Sequence, residues 1–378
     1  MKKKKIKNPL IRRIPRELLG DWKKYLVVAL FLILTIGFVS GMYVANESML
    51  IAANEGVTKY KLEDGHFELN KKADETLLAA IETGIKADVK KYYLDKAKKE
   101  LDEKLDEKAY PEAYDKAWDK IVEEIDDKYA DAEEKYELND SDFTEVPVKV
   151  YENFFRNEEE DYNNDGEAEG NIRVYAKNDN VDLACLLDGA FPEKADEIAI
   201  DRMHADNVGV KVGDEISVSG QRFKVVGLIA YVNYATLHEK STDMMFDAIK
   251  FDVAMVTPEG FDRLHKSIHY GYAWNYVDTP ADEVEQKAKS DDFMKALLTQ
   301  VVCDDIELED YMPRYANPAI NFATDDMGSD KAMGGVLLDI LIVIIAFIFA
   351  VTISNTIVKE ASTIGTLRAS GYTRDELV

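Results

Sequence analysis

The sequence predicts an α+β domain with a long helical hairpin insertion, flanked by two transmembrane α-helices. Three observations lead there. Two apolar runs stand near the ends of the 378-residue chain. A stretch rich in Ala, Lys, Glu and Leu, with helical periodicity, follows the first run. Short alternating segments bounded by turn residues fill what remains.

The first run, Tyr25–Val44, reads YLVVALFLILTIGFVSGMYV and carries no charge. At about 1.5 Å per residue it covers about 30 Å, the thickness of a bilayer core. A membrane helix is placed over residues 25–45. A cleaved signal peptide is the other reading, but its apolar core is shorter and a small-residue cleavage site follows it. The second run, Val336–Val358, is charged only at Asp339 in its first turn. A carboxylate suits that end of a helix and reaches the interface there. Residues 336–358 form the second membrane helix.

Orientation follows from charge. Residues 1–24 hold Lys2, Lys3, Lys4, Lys5, Lys7, Arg12, Arg13, Arg16, Lys23 and Lys24 against only Glu17 and Asp21. Such a basic tail stays cytoplasmic. Residues 46–335 are then extracytoplasmic, residues 359–378 return to the cytoplasm, and the protein is a multi-pass component of the cell membrane. Of 47 basic and 73 acidic residues, 34 and 67 fall in 46–335, a net charge of −33. A domain this acidic repels phosphate backbones, which excludes nucleic acid as a partner. Cys185 and Cys303 fit either one disulfide or two unrelated thiols.

Residues 71–139 read as the helical hairpin. Apolar or aromatic residues recur every three to four positions at Leu77, Leu78, Ile81, Ile85, Val89, Tyr92 and Tyr93, and again at Tyr114, Ala117, Trp118, Ile121, Ile125 and Tyr129. Pro111 marks a break or corner between the arms. After Ser141 the pattern turns to strands, at Val146 to Val150, Ile172 to Val174, Glu197–Ile200, Glu215–Val218, Phe223–Ile229 and Asp252–Val256, with helices over Pro258–Ile268 and Ala281–Leu298.

Few residues offer chemistry. His265 and His269 have zinc-pair spacing, but no Glu stands beside the first and no third ligand is evident. Asp161, Asn163 and Asp165 copy the first half of a calcium loop, but Ile172 stands where the bidentate Glu belongs, so a polar turn is the better reading and no metal is expected. No phosphate-binding G-x-x-x-x-G-K-[ST] loop and no G-x-S-x-G nucleophile motif occurs. The chain is expected to be no enzyme and to bind no cofactor itself.

The most specific signal follows the second run: Glu360, then Ile364-Gly365-Thr366-Leu367-Arg368-Ala369-Ser370-Gly371, then Arg374. Ile364 and Leu367 share a helical face and Gly371 is a helix stop. Thr373-Arg-Asp-Glu376 has the form of a capping box opening a further helix, so the chain is expected to continue past Val378. This stretch resembles the FtsX/MacB-type permease family of ABC transporters, in which an acidic residue, an IG-x-L-R-A-x-G core and a basic residue follow the second span. Glu197-Ile-Ala-Ile-Asp201, Gly209-Val-Lys-Val-Gly213-Asp214 and Phe223-Lys-Val-Val-Gly227 more loosely resemble that family's outer domain.

The resemblance implies a permease subunit that couples ATP hydrolysis, by a separate cytoplasmic ABC ATPase holding the ATP and Mg, to movement of an extracytoplasmic domain for export or mechanotransmission. It implies a dimer of permeases or of permease halves in a lipid bilayer. It also implies a coupling helix carrying Glu360, Ile364, Gly365, Leu367, Arg368, Ala369, Gly371 and Arg374. The alternative is a membrane-anchored receptor with a helical sensor domain, which normally continues into a long cytoplasmic signalling region.

Overall fold

The computed structural model describes Leu19 and residues 22–136 and 142–373. The basic residues Lys2 to Arg16, the end of the expected hairpin (137–139) and Arg374 lie outside the described residues. The fold is mixed α/β, and the chain divides into two units: residues 53–323, and residues 1–52 together with 324–378.

The second of these units is built from two long helices, α1 (Trp22–Lys59) and α8 (Pro318–Ala369). Both are long and apolar enough to cross a membrane. Their large side chains stay exposed, Leu34 at 70% and Phe347 at 70% among them. An apolar surface on all sides is what a lipid environment requires of a helix. Within this unit the two run antiparallel. Gly334 and Gly335 lie against Met42 and Tyr43, and Lys331 pairs with Glu47. Small residues permit that close approach.

The unit 53–323 has two sheets. A four-stranded antiparallel sheet has the order β11-β1-β10-β2, from β1 (Gly65–Leu69), β2 (Val148–Glu152), β10 (Tyr270–Tyr276) and β11 (Leu308–Pro313). Its strands come from both ends of the unit. Phe67, Tyr272 and Trp274 on one face pack against Leu77 and Ile81 of α2 (Glu75–Glu82) and Phe293, Leu297 and Val301 of α7 (Glu283–Cys303). Gly65 is required here, since a Cβ would lie 2.3 Å from the Trp274 ring.

Between β2 and β10 the chain builds the second sheet, from β3 (Phe155–Asp161), β4 (Gly170–Ala176), β5 (Ala184–Gly189), β6 (Glu197–Asp201), β7 (Glu215–Val218), β8 (Gln221–Tyr231) and β9 (Phe251–Val256). The order is β5-β8-β6-β9-β4-β3-β7, and β7 pairs again with β8. Six strands therefore close into a ring, with β5 added outside on β8. Ile172, Ile198, Ile216, Val218, Phe223 and Val225 belong to one buried cluster, and the alternate residues Tyr175, Ala199, Ile229 and Val253 to another. Side chains on a strand alternate faces, so the first cluster lines the ring and the second covers its outer side.

The helices between β1 and β2 differ from the two-armed hairpin expected over 71–139. Three form: α2, α3 (Val89–Lys104) and α4 (Pro111–Tyr136). The first belongs to the sheet core, because Leu77 and Ile81 are buried there. Pro111 stands at the expected break, between α3 and α4, and opens α4; at a first helical position its missing N–H costs nothing. The other two lie antiparallel, with Lys90 2.8 Å from Asp126 and the Tyr114 hydroxyl donating to Asp102. The helix expected over Pro258–Ile268 shortens to α6 (Pro258–Phe261), capped by Thr257.

Candidate functional site

The coupling segment expected as a separate short helix is the end of α8, which runs unbroken from Pro318 to Ala369. Its last turns keep helical hydrogen bonds, and the hydroxyls of Thr366 and Ser370 donate to the carbonyls of Ser362 and Thr366 at 2.9 Å. The stop is made at Gly371, with φ of +92°, where Gly371 N–H donates to Arg368 O at 3.1 Å and Tyr372 N–H to Leu367 O at 3.2 Å. Only glycine enters this left-handed conformation without strain. Glu360, Ile364 and Leu367 are half-buried and follow one another at i, i+4, i+7, while Gly365, Arg368, Ala369 and Gly371 are exposed. A Cβ on Gly365 would meet nothing within 4 Å.

A second constellation lies inside the six-stranded ring, where sequence reading expected nothing. In the β3–β4 register Glu158 faces Ile172, and in the parallel β4–β9 register Ile172 faces Asp252. Residues directly opposite share a sheet face, so Glu158, Glu160 and Asp252 point inward with Ile172. His204 joins them from α5 (Arg202–Val208), which starts where β6 ends because Asp201 caps it, accepting from Met203 N–H at 2.7 Å. Glu160, His204 and Asp252 are each 0% exposed. Their ligand-type atoms lie within 4.8 Å of one another. His204 Nε2 is 3.2 Å from Glu160 Oε2 but not aligned for a hydrogen bond.

Burial dominates the protonation of this cluster. It raises Asp252 well above the ordinary carboxylate range, and it lifts Asp201 to about 6 against the pull of its two N–H donors. Burial also opposes a charged His204, but the charges of Asp252 and Glu160 outweigh it and carry the imidazole to about 9.

The loop Asp161–Glu169 joins β3 to β4 and gathers Asp161, Asp165 and Glu169. Asn163 belongs to the same turn, its Oδ1 accepting from Asp165 N–H at 2.8 Å. The carboxylates are already occupied: Asp161 accepts from Asp165 and Gly166 N–H, Asp165 from Glu167 N–H, and Glu169 from Tyr162 N–H and the Asn163 amide. Ile172 is buried in β4. His265 and His269 share no helix, and His269 stacks on Phe155 while its Nδ1 meets Glu68. Both cysteines are free thiols.

No protein-family model matches the chain, and no curated protein does. Among solved structures it is similar to the periplasmic region of MacB from Actinobacillus actinomycetemcomitans, at 10% identity and a TM-score of 0.27, covering 46% of this chain and 75% of that one. It is also similar to the extracellular domain of the noncanonic ABC-type transporter YknZ from Gram-positive bacteria, at 12% identity and a TM-score of 0.25, covering 47% and 88%.

The ring cluster left one trace in the sequence. In Phe155–Asp161, Glu158 and Glu160 occupy alternate positions of a strand. Acidic alternation reads as a solvated face unless the register of both neighbouring strands is known.

Proposed function

We propose that the chain is a membrane-spanning permease subunit of an ABC transporter, FtsX/MacB-like, that passes force from a separate cytoplasmic ATPase to the 53–323 unit. One observation carries the reading: the Glu360-to-Gly371 motif occupies the end of a continuous helix that begins at Pro318. At about 1.5 Å per residue this helix is a rod about 78 Å long with no break to absorb displacement. Nucleotide-driven closure of an ATPase dimer would press on Ile364 and Leu367, and the push would travel along the axis. The start of the rod follows β11, which pairs with β1, the strand that follows α1. Displacement of one helix against the other would therefore load this strand pair.

Gly365 supports the docking role. A glycine inside a helix costs about 1 kcal/mol relative to alanine, and here no side chain among the described residues fills the space beside it. Close approach of a partner gives that cost a reason. Residues 25–45 and 336–358 are the spans in this reading, both chain ends are cytoplasmic, and two permeases or permease halves meet two ATPases.

Co-purification of the permease with its ATPase tests the docking. Burying one leucine contributes about 1.5–3 kcal/mol, so Leu367→Asp should weaken association about tenfold to a hundredfold. Unchanged association in both Leu367→Asp and Arg368→Glu would remove the coupling role.

A further inference from the structure

We propose that Glu160, His204 and Asp252 form a buried metal site inside the six-stranded ring, taking a divalent cation of the zinc or manganese class. Three elements, β3, α5 and β9, bring the ligands to one point. The 3.2 Å between His204 Nε2 and Glu160 Oε2 is close to the edge of a tetrahedron, about 3.3 Å, drawn around an ion with bonds of about 2.0–2.1 Å. The whole set spans no more than 4.8 Å.

The atoms facing this point also lack hydrogen bonds, although His204 Nε2 and Glu160 Oε2 stand within ion-pair distance of each other. Both oxygens of Glu160, Oδ2 of Asp252 and Nε2 of His204 make no hydrogen bond among the described residues, although all three side chains are fully buried. Buried polar atoms are normally paired, and a set of orphans aimed at one point calls for a common partner. The atoms behind them are held. His204 Nδ1 lies 3.0 Å from the carbonyl oxygen of Ala248, which can only accept, so Nδ1 carries a proton and Nε2 is the ring atom that faces the other ligands. Asp252 Oδ1 accepts from Asp201 N–H at 3.1 Å and from Val253 N–H at 2.7 Å, which leaves Oδ2 as the ligand. This outer bonding is how proteins orient metal ligands.

Charge gives the same answer. Two carboxylates, a neutral imidazole and a divalent cation sum to zero, which a low-dielectric interior tolerates. The imidazole selects against calcium and magnesium, which prefer all-oxygen sites. The partly exposed turn of Asp161, Asp165 and Glu169 differs, because N–H groups of the same turn already occupy its oxygens, and it serves as the control.

The test is metal analysis of the full-length chain, purified in detergent from cells grown with added Zn²⁺ or Mn²⁺. The expected result is about one ion per chain, with thermal unfolding moved to lower temperature by a chelator and restored by the metal. His204→Gln and Asp252→Asn should lose the ion, and Asp165→Asn should keep it. Wild-type protein with no stoichiometric Zn²⁺ or Mn²⁺ would overturn the proposal, whether or not the variants fold. Loss of the ion in Asp165→Asn with retention in His204→Gln would overturn it too.

Discussion

At the scale of single residues, two features of the 53–323 unit have measurable consequences. Asp182 is buried with its Oδ1 accepting from Glu63 N–H at 3.0 Å and its Oδ2 from the Asn153 amide at 3.2 Å. Burial first, and the charge of Glu63 second, hold its pKa well above 3.8. The folded state therefore keeps a proton that the unfolded chain releases, and stability falls as pH rises from about 4 toward the folded value. Asp182→Asn keeps the acceptor for Glu63 and suits the left-handed φ of +48° found there. Chemical denaturation between pH 4 and 8 should show a shallower fall for Asp182→Asn than for wild type, with a gain at pH 7; parallel curves would refute the assignment. Glycines give a second comparison. A Cβ at Gly84, with φ of +65°, would lie 1.9 Å from Val146 O, whereas one at Gly166, with φ of +97°, would meet nothing. Gly84→Ala should destabilise by more than about 3 kcal/mol and Gly166→Ala by about 1 kcal/mol. Equal losses would mean that the Gly84 turn is misplaced.

At the scale of elements, α2 and the pair α3–α4 part company. Helix α2 has only 8 residues and buries Leu77 and Ile81 against the four-stranded sheet, so it has no reason to form alone. The α3–α4 pair holds its own seam through Tyr114, Leu101 and the Lys90–Asp126 bridge. In an isolated 71–139 fragment, backbone chemical shifts should therefore be helical within 89–136 and random over 75–82. Helical shifts over 75–82 would contradict the core assignment. Period-3.6 patterning located helical segments within 71–139 and 281–298, but it cannot say which partner an apolar stripe meets, and so one hairpin was expected where three helices form. Strands β4, β6, β7, β8 and β9 were legible because their apolar residues alternate or run together. Strands β1, β10 and β11 were not. GHFEL, YGYAWNY and LEDYMP mix aromatic, glycine and acidic residues, and they become strands only through pairing across some 200 residues of chain. The ring site was hidden for the same reason: Glu160, His204 and Asp252 meet through register, which no local motif encodes.

At the scale of the whole molecule, the reading requires the outer unit and the end of α8 to lie on opposite sides of a membrane. With the native cysteines replaced by serine, Met244→Cys, at a position 93% exposed, should react with an impermeant maleimide on intact cells. Thr373→Cys should react only after permeabilisation, and labelling of Thr373→Cys on intact cells would sink the topology. In the proposed reading, the unbroken α8 would transmit an axial push that a flexible linker would dissipate. The central claim is met most directly by ATP hydrolysis in liposomes holding the permease and its ATPase. The account predicts that wild-type permease alters the ATPase rate and that Leu367→Asp abolishes the effect while the outer unit keeps its circular dichroism spectrum. An ATPase rate indifferent to the permease, or equally altered by wild type and Leu367→Asp, would contradict it.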